Sequence, residues 1–258
     1  MNRSIRSLRN HALLTLPALL AAGLTLSAPA RADFKIQEPV VVKNEIEIES
    51  YADRSYDRHA DKNNAQSQNI AIGMGITDWW KAEVEGEFER EPGGRNRFSA
   101  TTFENIFQPF EQGQFWVDPG FFAEYSHAAK RGDADSVTFG PLLQKQIGRT
   151  IHTLNLLLTR EFATSTAQTG MSLNYGWQSR WVVTDAIQPG FEIFGEPGKI
   201  GHFKSADEQQ HRAGPILAGS VPVPWGGKIK YEAGALFALT GATERVVPKL
   251  QLEYEIVF

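Results

Sequence analysis

The sequence predicts an all-β fold: a closed antiparallel transmembrane β-barrel of about twelve strands behind a cleavable signal peptide. Three observations predict it. Residues 79–91, WWKAEVEGEFERE, alternate between an apolar set (Trp80, Ala82, Val84, Gly86, Phe88) and a charged set (Lys81, Glu83, Glu85, Glu87, Glu89). A strand sends successive side chains to opposite faces, so this segment has one apolar wall and one wall of carboxylates. Comparable alternation recurs to the C-terminus in segments of about nine to twelve residues, the length a membrane-crossing strand needs and longer than the usual five or six. The connections between the segments then alternate between longer and shorter, as they do in outer-membrane barrels.

Residues 1–32 read as a signal peptide and residues 33–258 as the barrel. Arg3, Arg6 and Arg9 precede an apolar run over residues 13–26, and Ala30-Arg31-Ala32 supplies the cleavage site. The run is shorter than the ~20 residues of a spanning helix, and Pro17 interrupts it. There is no cysteine, which excludes disulfides, thiolate metal sites and a lipoprotein anchor. Cleavage removes four arginines (Arg3, Arg6, Arg9, Arg31) and no acid, taking 26 bases to 22 against 30 acids, a net charge of −8. That balance excludes nucleic acid as a partner, because phosphate binding needs basic stripes. No later apolar run reaches helix-spanning length, so membrane insertion has to use strands.

In chain order, residues 33–39 form a short extended lead-in, and a first strand sets Val42, Ile46 and Ile48 against Lys43, Glu45, Glu47 and Glu49. Residues 51–67 are polar and loop-like. Strand two sets Ile70, Ile72, Met74 and Ile76 against Ala71, Gly73 and Gly75; strand three is the segment described above. Strand four opposes Phe103 and Phe107 to Thr102 and Glu104, and strand five opposes Phe115, Val117, Phe121, Ala123 and Tyr125 to Asp118, Gly120 and Glu124. Strands six, seven and eight set Val137, Phe139, Leu143, Leu154, Leu156, Leu158, Leu173 and Trp177 against Thr138, Gln144, Asn155, Asn174, Gln178 and Arg180. Strands nine and ten are weaker, with Glu192 and Arg212 on the polar face and Pro215 interrupting the tenth. Strand eleven opposes Ile229 and Tyr231 to Lys228, Lys230 and Glu232, and strand twelve opposes Leu250, Leu252, Tyr254 and Ile256 to Lys249, Glu253 and Glu255. Trp79, Trp80, Trp181, Trp225, Tyr254 and Phe258 fall near strand ends on the side of the short turns, where an interfacial aromatic girdle belongs.

The last ten residues, KLQLEYEIVF, end in Phe258 with an aromatic or aliphatic residue at every second position. They resemble the C-terminal signal by which the assembly machinery recognises bacterial outer-membrane proteins. ITDWWKAEVEGEFEREPGG, FENIFQ, FGPLLQKQIG and HRAGPILAGSVPV resemble stretches of proteobacterial proteins of the transporter and porin type. The likeness implies a Gram-negative outer-membrane β-barrel, and it brings no substrate or residue roles.

With the apolar set facing lipid, the inward set holds sixteen acids against seven bases. The expected pore lining comprises Glu47, Lys81, Glu83, Glu85, Glu87, Glu104, Asp118, Glu124, Arg180, Glu192, Arg212, Lys230, Glu232 and Glu253. Such a lumen concentrates cations, so the expected function is a porin-like, cation-selective channel or transporter for small hydrophilic solutes, cationic or neutral. The expected partners are outer-membrane lipid, lipopolysaccharide, the assembly machinery and those solutes; no cofactor or metal is expected. One alternative is a plugged structural or scaffold barrel in which acids and bases pair across the lumen. Another is a lipid hydrolase using His152 and Ser179, for which Asn155 and Asn174 point the wrong way to serve as third partner. A soluble periplasmic β-barrel binding protein, with the alternation turned inside out, is the last. Loop acids Asp53, Asp57, Asp61, Asp133 and Asp135 suit solvation better than Ca²⁺.

Overall fold

The structure, a computed structural model, describes residues 34–258 apart from 163, 165, 166 and 168. The cleavage expected after Ala32 lies outside the described residues. The strands are β1 (Glu45–Arg54), β2 (Gln66–Gly75), β3 (Trp80–Arg90), β4 (Arg97–Phe107), β5 (Asp118–Ala128), β6 (Asp135–Ile147) and β7 (Thr150–Phe162). After them come β8 (Ser172–Trp181), β9 (Gln188–Lys199), the two-residue β10 (His202–Phe203), β11 (Gln210–Pro222), β12 (Lys228–Ala238) and β13 (Val246–Val257). Each long strand pairs antiparallel with the next, β9 with β11 past the small β10 hairpin. β13 returns to β1, from Glu45↔Val257 to Asp53↔Lys249. Among the described residues the result is a closed up-and-down barrel of twelve long strands.

Its polarity is inverted relative to a soluble protein. Val84 is 45% exposed and Leu252 44%, while Glu85 and Glu255, on the opposite faces of the same strands, are each 1% exposed. Ile70, Ile72, Phe103, Leu217 and Leu250 are likewise exposed on the outer wall, and that wall can rest only against lipid. Trp79, Trp80 and Phe107 stack at one rim, with Trp181, Trp225 and Phe258 exposed.

Boundaries differ from expectation at both ends of β1, which starts at Glu45 and leaves Val42 and Lys43 outside it, and at the start of β5. β1 runs on through residues 51–54, expected to be loop, because Tyr51 and Asp53 continue the inward face and the ladder extends to Arg54↔Gln66. The apolar signal is lost there because the outward residues Ser50, Ala52 and Arg54 are already polar or small near the rim. β5 begins at Asp118, so Phe115 and Val117 belong to the turn rather than the strand. Gly113 adopts a φ of +78°, and its N–H donates to Asp118 Oδ1 at 2.5 Å, which holds the turn closed just before Pro119. This turn, 108–117, is the exception to the short connections 76–79, 148–149, 182–187 and 223–227 on its side.

At the opposite rim, the 55–65 connection is tied to the last one. Asp57 accepts hydrogen bonds from the backbone N–H of His59 at 2.8 Å and of Arg245 at 2.9 Å. Those backbone donors, His59 first, pull the Asp57 carboxyl down to about 2. A depressed carboxylate supports the folded state above its unfolded pKa and loses that support as pH falls through the folded one. Exchange of the His59 and Arg245 amides should therefore stay slow from neutral pH to about 3, once corrected for intrinsic rate, and quicken only as pH drops through about 2.

The largest departure concerns the lead-in. Residues 34–42 do not approach the barrel from outside; they run inside it.

Candidate functional site in the barrel lumen

A barrel of eight strands is just filled by its own inward side chains, so twelve leave space along the axis. Residues 34–42 occupy that space. Nine extended residues reach roughly 30 Å, enough to span a hydrocarbon core. Val42 lies at the foot of β1, where its carbonyl accepts from Glu45 N–H at 3.2 Å, and Phe34 lies beside Tyr51, Leu236 and Val247 toward the opposite rim.

The segment is held by side chains of the wall. Among the described residues, 35–41 make no backbone-to-backbone hydrogen bond. Asn155 of β7 brackets Gln37, accepting from its N–H and donating to its carbonyl, each at 2.8 Å. Gln108 accepts from Val41 N–H at 2.7 Å, and Lys249 donates to the Phe34 carbonyl at 2.7 Å. The wall is shaped for the segment: a Cβ built on Gly120 would lie 2.5 Å from Pro39 Cβ, and one on Gly176 would lie 2.7 Å from Ile36 Cδ1. Two apolar clusters inside the lumen are each completed by this segment. One is Phe34 and Ile36 with Tyr51, Phe194, Leu236 and Val247; the other is Val41 with Ile106, Phe122, Leu142 and Leu157. Gly176→Val should therefore displace Ile36 and loosen the segment without breaking the β8 ladder. Faster protease cleavage near residue 36 in the folded barrel would register this; unchanged cleavage would contradict it.

Charge is organised around the segment as well. Lys35 Nζ, its side chain 6% exposed, lies 2.9 Å from Glu49, 2.9 Å from Glu85, 3.6 Å from Glu104 and 4.0 Å from Glu83. Gln37 Nε2 donates to Glu104 at 3.1 Å, and Asn69 Nδ2 to Glu85 at 2.9 Å. Glu38 pairs with Arg180. Across the lumen, Lys249 pairs with Glu192 at 2.6 Å and Glu232 at 2.8 Å, and Gln178 donates to both carboxylates at 2.8 Å.

The expected lining residues fall inward as the alternation requires, with one diversion. Glu47 holds Lys81 at 2.5 Å, Thr102 donates to Glu87, and Glu124 stands in register between Glu104 and Thr138. Arg212 pairs with Glu244 at 2.5 Å and lies over the Phe34 ring at 4.7 Å. Lys230 pairs with Glu255, and with Glu253 at 4.0 Å. Asp118 is the diversion, because its carboxylate is taken by the 108–117 turn. The excess of acids over bases does not leave a row of open carboxylates: many are buried in ion pairs, and Lys35 serves four of them. Lys35, Gln37 and Glu38 lie outside the expected lining; their only signal in the sequence is an alternating FKIQE just before the first strand. The apolar inward residues Phe122, Leu142 and Phe194 lie outside it too, interrupting the polar face where the segment packs.

The hydrolase arrangement does not assemble. His152 and Ser179 are register partners on the outer face, yet His152 Nε2 bonds Thr150 Oγ1 at 3.0 Å and its ring stacks on Trp177. Asn155 is inside, engaged with Gln37. The loop acids do not converge either: Asp53 is buried in β1, Asp57 serves its loop, and Asp135 pairs with His127 at 3.1 Å. Two carboxylate triplets, Glu45/Glu47/Glu255 and Glu49/Glu83/Glu85, have oxygens close enough to share a metal ion. Lysine ammonium groups already sit against both.

A closed strand cylinder with an apolar exterior, a charged interior and an aromatic rim is an outer-membrane β-barrel. No protein-family model matches the chain, and no curated protein matches it. Among solved structures it is similar to an outer-membrane channel from Pseudomonas putida F1, at 14% identity over 89% of this chain and 99% of that one, with a TM-score of 0.52. It is also similar to the translocator domain of the autotransporter NalP from Neisseria meningitidis, at 10% identity over 83% of this chain and 88% of that one, with a TM-score of 0.49. At such identities the likeness is one of fold.

Proposed function

We propose that this barrel is an outer-membrane channel for small hydrophilic solutes, cationic or neutral, and that residues 34–42 close its acidic lumen in the state described. The observation that supports this is how the lumen is filled. A scaffold barrel can be sealed by its own wall, whereas here the filling is a separate segment without a backbone ladder, seated against wall glycines and polar side chains. Withdrawal of that segment leaves a corridor lined by Glu47, Glu83, Glu85, Glu104, Glu192 and Glu253, which favours cations. The channel from Pseudomonas putida F1 gives the same fold a pore function in at least one other protein. In this reading the protein is not an enzyme, Phe258 is its assembly signal, and its partners are outer-membrane lipid, lipopolysaccharide, the assembly machinery and the permeating solute.

Reconstitution in planar bilayers tests the reading. A cation-preferring reversal potential is expected, and Glu85→Gln with Glu87→Gln should move it several-fold toward no preference. Anion preference would contradict the acidic corridor. The sealed scaffold barrel is favoured by the density of buried pairs around Lys249 and Lys35; it predicts no conductance even after residues 35–41 are deleted.

A further inference from the structure

The proposed channel has a lumen in which one crowded acidic point is already loaded. We propose that Glu49, Glu83, Glu85 and Glu104 form a binding site for a primary ammonium group, occupied here by Lys35 as a tethered ligand, and that alkylammonium and alkyldiammonium solutes open the channel by taking its place. The proposal rests on the channel reading.

Four carboxylates surround a single ammonium at 2.9–4.0 Å, and the contacts come from β1, β3 and β4 together. An ammonium has three donors and no acceptor, which suits a cage made of acceptors; Lys35 donates to Glu85 at 2.9 Å and stands in ion-pair contact with the other three. The cage is therefore seen with its ligand in place, and that ligand is an alkylammonium. Its carrier is the one stretch of the lumen without a backbone ladder to the wall among the described residues. Carboxylates this close repel one another strongly away from bulk water, so the departure of Lys35 has to be compensated, by protons or by another cation taking its place. Cation binding and segment release are thus linked, and the linkage favours a solute that reproduces the donor set of Lys35. Potassium and quaternary ammonium carry the charge but no N–H.

The test uses the whole mature chain in planar bilayers, with 1,4-diaminobutane as probe and tetramethylammonium at equal charge concentration as control. Millimolar diaminobutane should raise the open probability at least ten-fold, and tetramethylammonium should leave it unchanged. Lys35→Gln should be open without diaminobutane and no longer respond to it. By titration calorimetry Lys35→Gln should bind one diaminobutane per barrel at least ten-fold more tightly than the unaltered chain. Equal responses to the two cations overturn the proposal. So does a Lys35→Gln channel as closed as the unaltered one while a barrel deleted for residues 35–41 conducts, a result that leaves the channel reading standing. If folded Lys35→Gln and the deleted barrel, both heat-modifiable on gels, conduct nothing, the channel reading fails and takes the opening step with it. One-to-one diaminobutane binding would still separate that failure from failure of the cage.

Discussion

Oxidation of a Pro39→Cys/Gly120→Cys pair is expected to hold the barrel shut, with conductance at least ten-fold below that of the same protein after reduction. The segment and the wall approach closely there: a Cβ built on Gly120 would lie 2.5 Å from Pro39 Cβ. A disulfide needs roughly 3.5–4.5 Å between Cβ atoms, so the segment has to draw back by about an ångström or two. It can do so because residues 35–41 are free of backbone pairing among the described residues. The chain has no cysteine of its own, so the bond formed is unambiguous. A confirmed disulfide that leaves conductance unchanged would mean that residues near Pro39 do not move when the pore opens.

Lys249→Met is expected to cost the barrel about 3–5 kcal/mol, the usual consequence of removing one partner from a buried ion pair. The side chain is 1% exposed and its partner Glu192 is 0% exposed, so solvent cannot screen what remains. The substitution orphans Glu192 and Glu232 together and removes the donor to the Phe34 carbonyl. Neutralising the two acids as well, with Glu192→Gln and Glu232→Gln, should recover most of the loss, because the burden is uncompensated charge rather than lost packing. Urea unfolding of the barrel in lipid provides the comparison. A triple variant no more stable than Lys249→Met would place the cost in side-chain packing instead.

The fold was legible because one physical constraint acts on every residue of a membrane strand. Lipid demands an apolar face and the lumen tolerates a charged one, so Val84 and Glu85 declare their sides without help from any neighbour. Legibility failed where that constraint relaxes. Ser50, Ala52 and Arg54 sit near the rim, where outward residues need not be apolar, and the end of β1 read as loop. It failed again where an inward residue meets another part of the chain rather than water. Phe122, Leu142 and Phe194 are inward and apolar because Val41, Ile36 and Phe34 lie against them, a contact between positions as much as 160 residues apart that no local period records. The same holds for the acidic residues. Alternation placed Glu85 and Glu104 in the lumen, but the cation that joins them comes from a lead-in segment with no strand partner. Gly120 and Gly176 were legible as inward glycines; that they receive Pro39 and Ile36 was not.

The proposed function requires a corridor through the barrel with residues 34–42 standing in it. Single-channel conductance of the barrel deleted for residues 35–41, recorded beside the whole chain in the same bilayer, tests it most directly. A steady, cation-preferring conductance at least ten-fold above that of the whole chain is expected. A deleted barrel that folds, shows heat-modifiable mobility and conducts no more than the whole chain would contradict it.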